Sequence, residues 1–162
     1  MNAPVVIIAF RRPDMLSNLL DDLKANHGSD RARLYVFSDG PRNGEDAQFV
    51  ARTREVCRSV EGFAEVTLLE RDENWGLSRN IISGVTQVLQ DYESLIVLEE
   101  DLRVAPTFLN FMNQALQVYK DREDVFSVSG FSPPADRLGG RIGMSGDVYL
   151  SRRNASWGWG TW

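Results

Sequence analysis

The chain has 162 residues, 43% of them hydrophobic and 25% charged, with a formal net charge of −5. That length buries one domain's core, the composition is that of an ordinary soluble globular protein, and the acidic balance argues against a general nucleic-acid binder. A single cysteine, Cys57, excludes an internal disulfide and any multi-cysteine metal cage, and no run reaches the ~18 apolar residues of a membrane span.

Val5 to Phe10 reads as an apolar strand ended by Arg11-Arg12-Pro13. The preceding MNAP has no basic leader, so this run is not a signal peptide, and the expected compartment is the cytoplasm. Pro13 and Asp14 open a helix keeping Leu16, Leu19, Leu20 and Leu23 on one face and closing near Asn26 to Gly28. Leu34 to Phe37 forms a second strand, ended by Ser38-Asp39-Gly40-Pro41. A second helix over Glu45 to Val60 turns Phe49, Val50, Val56, Cys57 and Val60 inward, which makes Cys57 a core residue rather than a nucleophile. Val66 to Leu69 is a third strand, Asn74-Trp75-Gly76 a turn, and Ser78 the cap of a third helix carrying Ile81, Ile82, Val85, Val88 and Leu89.

Ser94 to Phe111 holds the chain's centre. Leu95 to Leu98 is an unbroken apolar run, the pattern of a strand covered on both faces. Glu99, Glu100 and Asp101 follow at once; Pro106 then opens a helix with Phe108, Phe111, Met112, Ala115 and Tyr119 along one face. Val125 to Ser129 is a fifth strand. Beyond it Pro133-Pro134 and Gly139, Gly140, Gly143 and Gly146 mark irregular chain, with a short strand near Val148 to Leu150. The chain stops inside Trp157-Gly158-Trp159-Gly160-Thr161-Trp162, so residues 1–162 read as one domain cut short at its C-terminus, with 131–162 an irregular segment.

Four strand–helix alternations argue for an α/β fold: a mostly parallel sheet with helices on both faces. Ligands of such sheets gather outside the carboxyl ends of the strands, which here carry Arg11 and Arg12, Asp39, Arg71 to Asn74, and Glu99 to Asp101. Arginine suits diphosphate oxygens, aspartate accepts from a pyrimidine or ribose, and clustered carboxylates suit Mg²⁺ or Mn²⁺ bridging that diphosphate. Each feature has a plain counterpart: Asp39-Gly40 is ordinarily a turn, Arg11-Arg12 a solvated strand end, and an acidic triplet a hydrated loop. No G-x-G-x-x-G or Walker loop occurs, and His27, the only histidine, falls at an exposed helix end, so dinucleotide, P-loop and histidine-triad chemistry are unsupported.

The segments VVIIAFRRP, LYVFSDG, NWGLSRNIISGV and LIVLEEDLRVAPTFLNFM resemble the nucleotide-sugar domain of GT-A-fold glycosyltransferases, most of all the N-acetylglucosaminyltransferase I-like group and its bacterial relatives. The resemblance implies a UDP-linked sugar donor, Mn²⁺ or Mg²⁺, and inverting transfer to a hydroxyl acceptor. It places Arg12 on the diphosphate or uridine, Asp39 on uracil, and Asn80 at a polar uridine contact that is usually histidine. Glu99 and Glu100 match the first two acids of the metal motif, the second of which is commonly Asp, and Asp101 matches the metal ligand itself. Trp157 and Trp159 fall on the acceptor side, where tryptophans stack on sugars or simply pack, and the general base falls beyond Trp162. Two other readings stay open: a donor- and metal-binding module without catalysis, and a metal-dependent nucleotidyltransferase.

Overall fold

The computed structural model describes residues 2–134 and 148–162. Gly139, Gly140, Gly143 and Gly146 lie outside the described residues. Ten main elements follow in chain order: β1 (Val5–Ala9), α1 (Pro13–Lys24), β2 (Arg33–Ser38), α2 (Gly44–Ser59), β3 (Glu65–Glu70), α3 (Leu77–Val88), β4 (Leu95–Glu99), α4 (Phe108–Tyr119), β5 (Val128–Ser129) and β6 (Trp159–Thr161). The strands form one sheet in the order β3-β2-β1-β4-β6-β5. β3, β2, β1 and β4 run parallel, whereas β6 lies antiparallel between β4 and β5.

Side chains alternate across the sheet, and that alternation divides the core in two. Val5, Ile7, Ala9, Leu34, Val36, Ile96 and Leu98 meet α1, α2 and α4 on one face. Val6, Ile8, Phe37, Leu95 and Val97 meet α3 on the other. Leu95 to Leu98 are fully buried, as expected of a strand covered on both sides. Burying these apolar side chains contributes on the order of 1.5–3 kcal/mol each, and β1 and β4 lie in the interior of the sheet, each paired on both sides. Their carboxyl ends are therefore well fixed.

Some helix and strand details differ from the periodicity reading. Phe49, Ile82 and Phe111 are exposed; Val50 and Cys57 in α2, Val88 in α3, and Phe108, Met112 and Ala115 in α4 are buried as expected, joined by Thr53, by Asn80 and Gly84, and by Leu109 and Leu116. The third helix is capped by Gly76 rather than Ser78, which sits inside its first turn. Pro106 precedes the cap of α4, Thr107, so it breaks the chain before the helix instead of opening it. The fifth strand is shortened to Val128–Ser129, and Val148 to Leu150 is not a strand.

The larger correction concerns the aromatic-glycine run. Trp159 to Thr161 is a sheet strand, with Val97 opposite Trp159 and Leu95 opposite Thr161. Gly160 makes this possible: a Cβ there would sit 2.9 Å from the Leu95 carbonyl oxygen and 3.2 Å from the Leu116 side chain. Part of the segment 131–162 thus belongs to the core. Among the described residues no helix is long and apolar enough to cross a membrane.

Candidate functional site

The parallel strands deliver Phe10-Arg11-Arg12, Asp39, Arg71 and Glu99-Glu100-Asp101 to one rim of the sheet. Alternation then sorts the acids. Glu99 is in register with Ile8, which is in register with Phe37, so it stands on the α3 side. Glu100 takes the opposite side, and it is only 7% exposed. Its Oε2 accepts the Phe10 N–H at 2.7 Å, with the N–H groups of Arg11 and Arg12 also turned toward it. Burial nonetheless raises its pKa above the usual carboxylate range, against the pull of those N–H groups and Arg12. Glu100 thus fixes the exit of β1, and the second acid of the expected metal motif is turned into the fold.

Glu99 and Asp101 are left for a ligand. Glu99 is half-buried and takes no side-chain hydrogen bond among the described residues; burial, then the nearby Asp101 charge, raises its pKa, with Arg12 opposing. Asp101 forms an ion pair with Arg12, Nη1 to Oδ2, with the two side chains 37% and 52% exposed respectively. The residue expected on the diphosphate and the residue expected on the metal therefore hold each other.

Asp39 is nearly buried, and its carboxylate organises the next loop. Oδ1 accepts the N–H groups of Gly40 at 2.9 Å and Trp75 at 2.8 Å; Oδ2 accepts the Gly76 N–H at 2.9 Å and Asn74 Nδ2 at 3.0 Å. A carboxylate offers about four lone-pair sites, and all are engaged. In this arrangement Asp39 has none left for uracil. Asn80 is fully buried, donating to the Phe37 carbonyl at 3.3 Å and accepting from Arg71 Nε at 3.5 Å, so it positions Arg71 instead of facing a ligand. The guanidinium carbons of Arg71 and Arg79 lie 3.9 and 4.0 Å from the Trp75 ring centroid, which fixes an aromatic and two cations beside Asp39.

A second basic group flanks β1. Asp46, 1% exposed, pairs with Arg42 Nε at 2.7 Å and Arg11 Nη1 at 2.8 Å. The hydrogen bond from Arg42 holds its carboxyl well below the usual range, at about 2. Both guanidinium groups are about half exposed and lie against the Phe10 ring, at 5.2 Å for Arg42 and 5.9 Å for Arg11. Cys57 is buried and its thiol is pushed up to about 12, so it is no nucleophile at neutral pH.

The two tryptophans expected on the acceptor side part company. Trp159 packs with the α3-side core from within β6. Trp157 is 57% exposed and edge-to-face with Phe131, ring centroids 4.6 Å apart. It opens on a cleft of about 380 Å³ that Asp101 also lines. A larger hollow of about 1080 Å³, between α4 and residues 148–155, contains none of the strand-tip acids.

Among the described residues no three acid, histidine or cysteine side chains converge to cage a metal. Two neighbouring carboxylates, one without a hydrogen-bond partner, do fit an ion that takes one or two protein oxygens and completes its shell with phosphate and water.

The sequence model for Glycosyl transferase family 2 matches residues 5–137. The chain belongs to glycosyl transferase family 2. Its fold is the GT-A type, and the domain is a glycosyltransferase domain. Two solved structures of S. aureus TarS share this fold with the family 2 domain. One matches at a TM-score of 0.51 and 13% identity over 74% of this chain. The other, TarS 1-349, matches at 0.50 and 14% over 83%. The chain spans 20% and 38% of the lengths of those two proteins.

Two residues that position this family 2 site gave no signal in the sequence. Arg54, from α2, donates to the Arg71 carbonyl at 2.7 Å and to Ser38 Oγ at 3.2 Å, and pairs with Glu70 at 3.2 Å, tying the ends of β2 and β3 together. Asn26 accepts the Leu109 N–H at 2.9 Å and donates to the Ala105 carbonyl at 3.1 Å, which seats the start of α4 beside the acidic tip. Neither follows a motif, because both reach partners far away in the chain.

Proposed function

We propose that this family 2 domain binds a UDP-linked sugar with Mn²⁺ or Mg²⁺ and transfers the sugar to a hydroxyl acceptor with inversion. The observation that carries this reading is the pair Glu99 and Asp101 at the tip of the central strand, with Arg12 against Asp101. A bound cation would neutralise charge on the departing diphosphate. Asp101, with Glu99 beside it, would hold that cation. Arg12 would exchange Asp101 for a diphosphate oxygen, a partner that a guanidinium binds at least as well. Arg11 and Arg42 add positive potential at the same rim, and the Trp75 loop, shaped by Asp39 and with its indole covered by Arg71 and Arg79, would border the base. Trp157 stands on the acceptor side of Asp101. Within family 2, the segments VVIIAFRRP, LYVFSDG, NWGLSRNIISGV and LIVLEEDLRVAPTFLNFM support kinship with the N-acetylglucosaminyltransferase I-like group.

The strand-tip acids leave the proton-accepting role unfilled: Asp39 and Glu100 are engaged by backbone N–H groups, and in this reading Glu99 and Asp101 would hold the donor's cation. That observation favours a second reading, a module that binds donor and cation without completing transfer. Incubation with UDP-sugars, cation and an acceptor panel separates the possibilities. Acceptor-dependent release of UDP supports transfer; tight UDP binding with no release supports the binding module; release of pyrophosphate would mean a nucleotidyltransferase instead.

A further inference from the structure

Between the end of β4 and the start of α4 the chain forms neither strand nor helix, so the place of Asp101 depends on what holds the residues around it. The Leu102 N–H closes the turn by donating to the Glu99 carbonyl at 3.2 Å. On the near side of Asp101, the Glu100 N–H donates to the Ile8 carbonyl at 3.1 Å, and the Glu100 carboxylate takes the Phe10 N–H. On the far side the first anchor is Asp22, in the last turn of α1.

Asp22 grips that segment through both of its oxygens. Oδ2 accepts Arg103 Nε at 2.5 Å and the Val104 N–H at 3.2 Å, and Oδ1 accepts Arg103 Nη2 at 2.8 Å. A two-pronged guanidinium–carboxylate pair fixes orientation as well as distance. An exposed ion pair on its own would count for little. Here the Asp22 side chain is only 17% exposed, and the Val104 N–H has no other acceptor among the described residues. The same helix receives Arg12 at its other end, where the Arg12 carbonyl accepts the Leu16 N–H at 3.0 Å. Leu16, Leu19, Leu20 and Leu23 bury α1 in the core, so it is a fixed strut between Arg12 and the residues that follow Asp101.

We infer that Asp22 is a positioning residue for the cation site: through Arg103 and Val104 it holds the turn that presents Asp101. This rests on the donor reading above. The side-chain partner of Asp101 is Arg12, and in that reading the diphosphate draws Arg12 away. The Asp101 carboxylate must then keep its place through the backbone, between Glu100 on one side and Asp22 on the other. With Asp22 lost, the next tie beyond the turn is Asn26 to the Ala105 carbonyl, which leaves Asp101 on a longer free span. A carboxylate that wanders gives up part of its affinity, because binding must first order it.

The test titrates UDP by calorimetry into the wild-type chain, Asp22→Ala, Asp22→Asn and Arg103→Ala, each with Mn²⁺ and with EDTA, and titrates uridine alongside. Removing an outer partner of a metal ligand weakens cation binding roughly 10- to 100-fold; Asp22 acts one step further back, so Asp22→Ala should cut the Mn²⁺-dependent gain in UDP affinity about tenfold. Arg103→Ala keeps the Val104 contact and should cut that gain by at most about fivefold. Asp22→Asn, whose amide oxygen still accepts the Val104 N–H, should fall between wild type and Asp22→Ala. Uridine, and UDP in EDTA, should bind every variant as they bind wild type, whereas a general loosening of the fold would weaken them too. A gain that Asp22→Ala keeps in full, or an equal loss for uridine, would overturn the inference, with the wild-type gain still upholding the donor reading. A wild-type chain whose UDP affinity ignores Mn²⁺ would overturn both. Should the far-UV spectrum show Asp22→Ala unfolded, the same comparison runs on Asp22→Asn and Arg103→Ala, and a full gain in both overturns the inference.

Discussion

Replacing Arg12 by alanine separates two effects that the ion pair with Asp101 joins. Both side chains are substantially exposed, so the pair is worth roughly 0.2–1 kcal/mol. Freeing Asp101 should therefore tighten binding of Mn²⁺ alone, by at most about fivefold. The same substitution removes a guanidinium from the diphosphate, a charge-assisted hydrogen bond worth about 1.5–3 kcal/mol, so UDP in saturating cation should weaken roughly 10- to 150-fold. Uridine, which has no phosphate, should keep its affinity. Calorimetric titrations of Mn²⁺, UDP and uridine into both proteins measure all three, and the first two effects should shrink as salt rises through 0.5 M. If UDP and uridine weaken equally, Arg12 faces the nucleoside. If cation affinity stays the same while UDP affinity also stays the same, the pair has no part in the donor site.

Further expectations follow from other positions on the rim. Asp46→Asn should lower stability at neutral pH and flatten its acid dependence: the carboxyl is depressed from its ordinary 3.8 to about 2 in the fold, so its contribution is present above pH 3.8 and lost as pH falls toward 2, a window that urea midpoints at a series of pH values would show. Glu100→Ala leaves the Phe10 N–H and its neighbours without an acceptor and should cost about 1–3 kcal/mol in urea unfolding, whereas Glu99→Gln should leave stability nearly unchanged and weaken cation-dependent UDP binding. Gly40→Ala would place a Cβ 2.4 Å from the Glu73 carbonyl carbon, forcing the Trp75 loop away; a loss of about 1–3 kcal/mol is expected, together with weaker uridine binding. A Gly40→Ala protein with wild-type stability would mean the loop is loosely held.

The parallel half of the fold was legible because a doubly covered strand leaves a plain signature: four apolar residues in a row at Leu95 to Leu98, then a sudden run of charge. β6 left no such trace. Trp-Gly-Trp-Gly-Thr-Trp has no apolar run, and its glycines, which loosen a strand read locally, are what let it approach β4. The inward faces of α2, α3 and α4 were legible apart from Phe49, Ile82 and Phe111, which score as core by type alone; a polar Thr53 and Asn80 took buried places through hydrogen bonds that periodicity does not count.

At the site, the acids and arginines could be found from their position after strands, but not their division of labour. Period-2 alternation already implied that Glu100 would point away from Glu99, yet the sequence could not show that β1's N–H groups were waiting for it. Asp39 was visible as a strand-end acid, while its four donors come from Gly40 and from a loop some 35 residues later. The Arg12–Asp101 pair spans 89 residues and joins two groups expected on different parts of one ligand.

The most direct test is a calorimetric titration of UDP into the wild-type chain and into Asp101→Asn, each with and without Mn²⁺. Wild-type affinity should rise when the cation is present, and the asparagine variant, its fold intact, should bind UDP equally weakly in both conditions. A cation effect of the same size in both proteins would place the ion away from the tip of β4 and contradict the assignment.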